Sequence, residues 1–248
     1  GGWCLDADID EFFDYPFSDA VDLNAFLTYL NRHNHTAVMT QLLDMFSDKP
    51  LSHLVSEQKE DVRMAYQYYD VSDITKTDYR TSTIVTKYGY ANQLADSGTA
   101  LYWGGVRKAL YGNDCLLTKH SLFLPGAGLR LFPHVHFVNE VRLADVAGVM
   151  LHYKLTSNAM AMALQNRDNF RENSRGYSAF IDVLSKKPNW EIKAGTSQKC
   201  VSATELAKAK FLSMSPSFEE YAMTRASSSL HESTSAERRI SGAHPEPR

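Results

Sequence analysis

The most regular pattern in the chain lies near its beginning, within Trp3–Pro16, where apolar and acidic side chains alternate. An aspartate stands at every second position from Asp6 to Asp10, with Ala and Ile between them. A period of two predicts a strand with three carboxylates on one face and Glu11 beside them. Like charges this close repel one another unless a cation, or water at a strand end, relieves them. The stretch therefore predicts a site for a hard divalent ion such as Mg²⁺ or Mn²⁺, with coordination positions left for substrate phosphates.

The acidic stretch has three other possible interpretations. A solvated edge strand could carry the same acids, although aspartate is poorly suited to strands. A calcium loop of the EF-hand type starting at Asp6 would need glycine and glutamate where the chain has Glu11 and Phe17, so the sequence excludes it. An aspartyl-phosphate phosphatase would use Asp6 as nucleophile and Asp8 as acid or base, and this interpretation stays as an alternative.

The apolar period then changes to that of a helix. Leu23, Phe26, Leu27 and Leu30 recur at helical spacing, and Asp22 precedes them as a suitable N-cap. A helix is therefore predicted to begin at this point and to end near residues 31–35.

The middle of the chain is less regular. An apolar run at 37–46 predicts a strand followed by a turn, whereas residues 51–100 are polar and aperiodic and are expected to form long irregular connections. Gly104 and Gly105 predict a tight turn at the end of a strand, because the lysine and hydroxyl residue of a phosphate-binding loop are missing.

The second half predicts three further strands and then helices. The strands are expected at 115–125, at 129–137 and at 145–155, and the last is continuously apolar before it delivers His152 and Lys154 to one edge. After residue 157 the pattern predicts two amphipathic helices, a short strand at 191–194, a helix over 206–212 behind a capping box at 202–205, and a disordered tail at 226–248.

Composition narrows the class of protein. The 248 residues include 44% hydrophobic and 22% charged residues, which is typical of a globular domain, and a net charge of -3 gives no general basic field for nucleic acid. No apolar run approaches the length of a membrane span, and no signal peptide is visible. The three cysteines are widely spaced, which favours reduced thiols and a cytoplasmic location.

Several short motifs, taken in order, resemble those of GT-A type glycosyltransferases close to glycosyltransferase family 2. The motifs are Trp3-Cys4-Leu5, Asp8-Ile9-Asp10-Glu11-Phe12 with Tyr15-Pro16, Leu42-Leu43-Asp44-Met45-Phe46-Ser47-Asp48 with Pro50, Gly104-Gly105-Val106-Arg107, Leu117-Thr118-Lys119 and Leu151-His152-Tyr153-Lys154. The resemblance implies an α/β fold with a mixed sheet flanked by helices. It also implies that residues 1–225 are the metal and acceptor portion of such a domain, without the N-terminal nucleotide-binding half that precedes the aspartate motif in this family.

The resemblance further implies a reaction and a metal. A nucleotide-sugar donor is held by Mn²⁺ or Mg²⁺, and its sugar passes to the hydroxyl of a glycan or other acceptor. The implied metal set is Asp8, Asp10 and His152. Asp10 would bind the ion directly, and Asp8 would contact the ribose or a metal-bound water with Glu11 in support. The ion would act as a Lewis acid on the leaving diphosphate.

Other residues receive roles with less support from the motifs. Arg107, Lys119 and Lys154 are cations beside turns or strand ends and are expected to contact diphosphate oxygens. His134 and His136 alternate on one strand and are expected to line the acceptor cleft, and Glu140 is expected to be the catalytic base, with Asp145 not separable from it. Because the chain begins at the acidic motif, a non-catalytic fragment or interaction domain stays as an alternative function.

Overall fold

The computed structural model describes residues 2–50, 61–126, 130–134, 136–156, 158–169, 174–187, 189–200 and 202–227. This part of the chain is a mixed α/β structure. Its strands are β1 (Cys4–Leu5), β2 (Glu11–Asp14), β3 (Ala37–Asp44), β4 (Tyr68–Tyr69), β5 (Ile74–Asp78), β6 (Gln93–Leu94), β7 (Ala100–Gly104), β8 (Thr118–Phe123), β9 (Arg130–His134), β10 (Phe137–Asn139), β11 (Arg142–Leu143), β12 (Gly148–His152) and β13 (Gln198–Lys199). Its helices are α1 (Leu23–Arg32), α2 (Val62–Ala65), α3 (Thr83–Tyr88), α4 (Val106–Tyr111), α5 (Ala159–Asn169), α6 (Ser174–Lys186), α7 (Ala203–Lys208) and α8 (216–227).

The main sheet is built around β3, all eight residues of which are buried. Antiparallel β8 pairs with one edge of β3, while β11 and then β12 follow each other in parallel along the other edge. Outside these strands lie β1 against β8, β6 against β11 and β2 against β12. The apolar run that predicted a strand at 37–46 is thus confirmed as the centre of a mixed sheet.

The acidic stretch does not form the continuous strand that its alternation predicts. β1 pairs with β8 and β2 pairs with β12, which flank β3 on opposite sides, so residues 6–10 cross from one side of the sheet to the other. We call residues 6–10 the crossing segment. A backbone hydrogen bond of 3.0 Å from Glu11 N to Asp8 O closes a turn within it. Aspartate side chains favour turns over strands, and here they also meet cations on the sheet.

The predicted first helix is confirmed. Asp22 caps α1 by accepting a 2.8 Å hydrogen bond from Ala25 N. The apolar face of α1 packs with β2 and α8, where the rings of Tyr15 and Phe26 stack with centroids 4.2 Å apart and Phe218 meets Phe26 edge to face. The strands that were predicted at 115–125 and 145–155 appear as the shorter β8 and β12.

Some predicted elements were wrong. Residues 61–100 are not irregular but hold α2, β4, β5, α3 and β6, whose lengths of two to six residues are too short to show a period; residues 51–60 lie outside the described part. The strand expected at 129–137 is instead a hairpin of β9 and β10. No strand forms at 191–194, and β13 follows a few residues later.

Predictions for the C-terminal region were largely correct. Two helices follow residue 157, as predicted, and α6 is amphipathic, but α5 is not. The apolar side chains of α5 do not gather on one face, and Leu164 is 39% exposed. Ser202 accepts a hydrogen bond from Glu205 N, as the capping box predicts, although the helix behind it spans Ala203–Lys208 and not 206–212. Residues 226 and 227 belong to α8, and the rest of the expected tail lies outside the described residues.

Cys4, Cys115 and Cys200 are free thiols, as their spacing predicts. Within the described ranges, no helix is both long and apolar enough to cross a membrane.

One buried polar cluster ties α1 and α8 to the sheet. Asp145 Oδ2, between β11 and β12, accepts hydrogen bonds from Tyr29 Oη at 2.8 Å and from Ser215 Oγ at 2.5 Å. His35 Nε2 lies 3.2 Å from the other oxygen. Burial alone would raise the pKa of Asp145, but these three neighbours outweigh it and lower the pKa to about 2.

Replacing this carboxylate should destabilise the protein in a pH-dependent way. The pKa of Asp145 in the folded protein lies below the value of about 3.9 in an unfolded chain. The ionised carboxylate therefore stabilises the fold above that pH, and this stabilisation is lost as the pH falls toward 2. We expect Asp145→Asn to lower the free energy of unfolding by about 2 kcal/mol at neutral pH, and by progressively less from about pH 5 downward. Urea unfolding measures this. Asp182→Asn, which removes an exposed ion pair with Lys186, is the control and should change nothing. If the loss of unfolding free energy in Asp145→Asn does not change with pH, the lowered pKa of Asp145 is contradicted.

Candidate active site

The candidate site lies where β3, β12 and β2 reach the same level of the sheet. Asp44 is the last residue of β3, His152 is its neighbour on β12, and Glu11 is the neighbour of His152 on β2. The backbone continues the alignment past the strands, because Tyr153 N donates to Asp10 O at 2.8 Å. Residues from three separate parts of the chain thus meet at one end of the central strands.

His152 lies between two aspartates. Its Nδ1 is 2.6 Å from Asp44 Oδ1, a short hydrogen bond, while its Nε2 is 3.6 Å from Asp10 Oδ2, which is too long for one. Asp44 is almost fully buried, whereas the Asp10 side chain is 19% exposed. The imidazole is therefore fixed on its buried side and faces a carboxylate on its accessible side.

Arg107 completes the environment of Asp44 from the opposite direction. Its Nε donates a 2.8 Å hydrogen bond to Asp44 Oδ2, and its side chain is 8% exposed. Within the described ranges, its buried Nη2 has no hydrogen-bond partner. The guanidinium thus holds one buried anion and keeps a spare donor.

A glycine turn brings Arg107 to this position. β7 ends at Gly104, α4 begins at Val106, and both Gly104 and Gly105 have positive φ, at 87° and 64°. A side chain at Gly104 would place its Cβ 2.8 Å from the carbonyl oxygen of Asp73. The predicted tight turn is confirmed, and only glycine fits it.

A second buried ion pair lies beside the first. Lys119 Nζ on β8 contacts both oxygens of Glu11, at 2.8 and 3.0 Å, and lies 3.4 Å from Asp8 Oδ2. The Lys119 and Glu11 side chains are 5% and 1% exposed, whereas that of Asp8 is 72% exposed. Lys119 is therefore neutralised by Glu11 within the protein and holds the crossing segment against the sheet.

The charges of these residues shift one another. Burial favours neutral imidazole, but Asp10 and Asp44 outweigh it and raise the pKa of His152. Burial likewise opposes ionisation of Asp44, but Arg107 and His152 outweigh it and lower its pKa. The nearby His152 ring is the main cause of the lowered pKa of Asp10, and Lys154 contributes to it. Lys154 is thus close enough to act on the site electrostatically, with its Nζ also 5.0 Å from the centre of the Tyr177 ring.

The structure brings together part of the metal set implied by the sequence. Asp10 and His152 face each other, but Asp8 turns to Lys119 instead. In the part of the chain that the structure describes, no three His, Cys, Asp or Glu side chains gather in a way that could hold a metal ion. The separation of Asp8 follows from the turn inside the crossing segment, which replaces the strand that would have aligned it with Asp10.

Other predicted residues lie away from this cluster. Glu140 is an exposed turn residue just before β11, which pairs with β3 at Ala37, the opposite end of β3 from Asp44. Asp145, its alternative, belongs to the cluster at α1. His134 ends β9, and its side chain lies outside what is described. His136 Nδ1 is 3.3 Å from Thr118 O, next to Lys119.

Asp44 is the site residue that the sequence analysis did not single out. It appeared only as a member of a motif, although an aspartate that closes a mainly apolar strand was a usable signal. Its partners Arg107 and His152 are 63 and 108 residues away, which no local pattern reveals. Comparison with protein-family models, with curated proteins and with solved structures finds no match for the chain.

Removing the Asp44 charge should cost far more stability than removing an exposed one. Asp44→Asn leaves Arg107 buried without its anion, so we expect the free energy of unfolding to fall by about 3 to 5 kcal/mol. The double variant with Arg107→Met should recover part of this loss, since no unpaired charge is left. Urea unfolding of both single variants and the double variant measures the coupling. Asp61→Asn removes an exposed partner of Arg63 and should leave stability unchanged. If the loss of free energy of unfolding in the double variant equals the sum of the losses in the two single variants, Asp44 and Arg107 do not form a coupled buried pair.

The glycine turn offers a matched comparison. Gly104 and Gly112 both have positive φ, at 87° and 73°, but a Cβ at Gly112 would meet nothing within 4 Å. We expect Gly112→Ala to cost about 1 kcal/mol of backbone strain, and Gly104→Ala about 3 kcal/mol because of the additional clash with Asp73 O. Thermal unfolding of the two variants measures the difference, and equal losses would contradict the close approach.

Proposed function

We propose that this chain is the metal-binding region of a glycosyltransferase of GT-A type, which transfers a sugar from a nucleotide-sugar donor to an acceptor hydroxyl. The observation that carries the proposal is the pair formed by Asp10 Oδ2 and His152 Nε2, 3.6 Å apart. The mixed sheet with helices is compatible with that fold, and the ordered motifs are the reason for preferring it.

The donor set fits a divalent ion. Nδ1 of His152 is engaged by the buried Asp44, so the nitrogen that faces Asp10 is Nε2. A carboxylate behind a histidine is the usual arrangement for orienting a metal-binding imidazole and raising its basicity. Two atoms that each lie about 2.1 Å from one ion are separated by roughly 3 to 3.6 Å, so one ion can bridge these two side chains.

A site with two protein ligands suits a metal that also binds substrate. Mg²⁺ and Mn²⁺ commonly keep most of their positions for water and phosphate oxygens, so two protein ligands would leave room for a diphosphate. The imidazole favours Mn²⁺ over Mg²⁺, because the latter prefers oxygen ligands. When bound, the ion would neutralise charge that develops on the leaving diphosphate.

The cations of the site are not equivalent in this proposal. Lys119 is already paired with Glu11 and positions the crossing segment. Arg107 is likewise paired with the buried Asp44, and its Nη2 is itself buried, so Lys154 is the predicted cation left to attract the diphosphate. Glu140 is too far along the sheet to serve as the base in this arrangement, so the proposal includes no catalytic base. The free thiols are compatible with a reducing compartment such as the cytoplasm.

The test is metal-dependent nucleotide binding by the purified chain. Mn²⁺ binding is followed by electron paramagnetic resonance, and UDP or GDP binding by calorimetry with and without Mn²⁺. We expect nucleotide binding only with the metal, and Asp10→Asn and His152→Gln should each weaken Mn²⁺ binding by about tenfold or more, as changes to metal ligands do.

Asp6→Asn is the matched control, because Asp6 belongs to the same acidic stretch but not to the pair. It should bind Mn²⁺ and nucleotide as the wild type does. Unchanged Mn²⁺ binding in Asp10→Asn would refute the site, and Mn²⁺ binding without nucleotide would favour a non-catalytic domain. Labelling of Asp6 by beryllofluoride, lost in Asp6→Asn, would favour the phosphatase alternative instead.

A further inference from the structure

A pocket of about 550 Å³ lies on β5 and β7, which pair antiparallel as the arms of a wide hairpin whose connection holds α3 and β6, and its lining includes no residue of the cluster around Asp44. It is lined by threonines of β5 and of the segment that leads into α3, by Trp103 of β7, by Ser82, and by Asp78 and Asp114. We call it the hairpin pocket. Its volume is in the range of small-molecule sites, and its lining combines one large aromatic ring with several hydroxyl and carboxylate groups.

Ser82 gives the pocket an unmet hydrogen-bonding demand. The residue is 5% exposed, and its Oγ finds no hydrogen-bond partner in any residue that the structure describes. Ser82 precedes α3 but makes no side-chain cap there. Buried hydroxyls are almost always paired, because an unpaired one costs about 1 to 3 kcal/mol. A polar ligand in the hairpin pocket would supply the missing partner.

Trp103 supplies an apolar surface whose polar atom is already used. Its Nε1 donates a 2.8 Å hydrogen bond to Thr77 Oγ1, which fixes the orientation of the indole. The ring is half-buried and lines the pocket. An oriented aromatic ring of this kind is suited to stacking against a flat, weakly polar face of a ligand.

The charge of the lining decides which ligands are excluded. Asp78 and Asp114 are the charged side chains that line the pocket, and no lysine or arginine is among its lining residues. Lys108 reaches Asp114 at 3.3 Å but is not part of the lining. The lining thus presents two carboxylates and one lysine partner outside it, a balance that disfavours phosphates and other anions, while carboxylate oxygens accept hydrogen bonds from hydroxyl groups.

We propose that the hairpin pocket binds a neutral saccharide. One face of a sugar ring would stack on Trp103, and its hydroxyl groups would meet Ser82 Oγ and the carboxylates of Asp78 and Asp114. The saccharide is the acceptor, an assignment that rests on the proposed function, whereas binding itself does not. Trp103 stands directly before the glycine turn that positions Arg107, so the pocket and the proposed metal site are joined by one short connection.

Binding is tested on the full chain by isothermal titration calorimetry, which gives the affinity of each variant, and by nuclear magnetic resonance, which follows the indole N–H of Trp103 in the wild type during titration with maltotriose, cellotriose, xylotriose and mannotriose, in the absence of metal and nucleotide. We expect at least one of these trioses to shift that signal in a saturable way. Trp103→Ala should weaken the binding at least about tenfold, and Ser82→Ala by about threefold or more.

Three controls separate binding from folding and from the proposed reaction. Trp190→Ala removes a tryptophan that packs with Lys187 and should bind as the wild type does. Ser82→Ala should keep or raise the thermal midpoint, because the hydroxyl that it removes is buried without a partner among the described residues. Asp10→Asn should keep triose binding even where Mn²⁺ binding is lost. No saturable shift with any triose, or equal affinity in Trp103→Ala, overturns the saccharide site while leaving the metal site standing.

Discussion

A carboxylate buried at the end of the central strand is the constraint on which the site and much of the sheet depend. Asp44 is almost fully removed from solvent, and an ionised group in that position is stable only when opposite charges and hydrogen bonds surround it. Arg107 and His152 meet that requirement from two sides. Their positions are set by a glycine turn and by a strand in register with β3. The buried charge of Asp44 therefore requires three distant segments to meet, namely the end of β3, the start of α4 and the end of β12.

The neighbouring pair of Lys119 and Glu11 is a second case of buried charges that neutralise each other. Lys119 lies on one side of β3 and Glu11 on the other, so their contact spans the central strand. The contact with Lys119 also explains why the acidic stretch stays close to the sheet although residues 6–10 form no strand. Asp8 and Asp10 lie close to Lys119 and His152, respectively, and the residue between them, Ile9, is fully exposed. Attraction to cations, and not apolar burial, holds this stretch in place.

The sequence predicted best where a single period extends over many residues. The helix capped by Asp22 and the apolar strand ending at His152 were both predicted. Burial of one helix face, or of a whole strand, produces a pattern of apolar residues that is visible in the local sequence. The alternation at Asp6 to Asp10 wrongly predicted a strand, because the same period of two arises here from aspartates that face Lys119 and His152 on other elements. Elements of two to six residues between 61 and 100 left no period at all. Asp44 could not be paired with His152 or Arg107 from the sequence, because the sheet register and the glycine turn bring these residues together only in the folded chain.

The crossing segment gives the sheet a property that its strand order does not show. Five residues join the strand outside β8 to the strand outside β12, and the same residues carry the carboxylates that face Lys119 and His152. The two outer strands are thus tethered through electrostatic contacts that lie between them. A change in the charge of Asp8 or Asp10 would therefore act on both outer strands of the sheet at once.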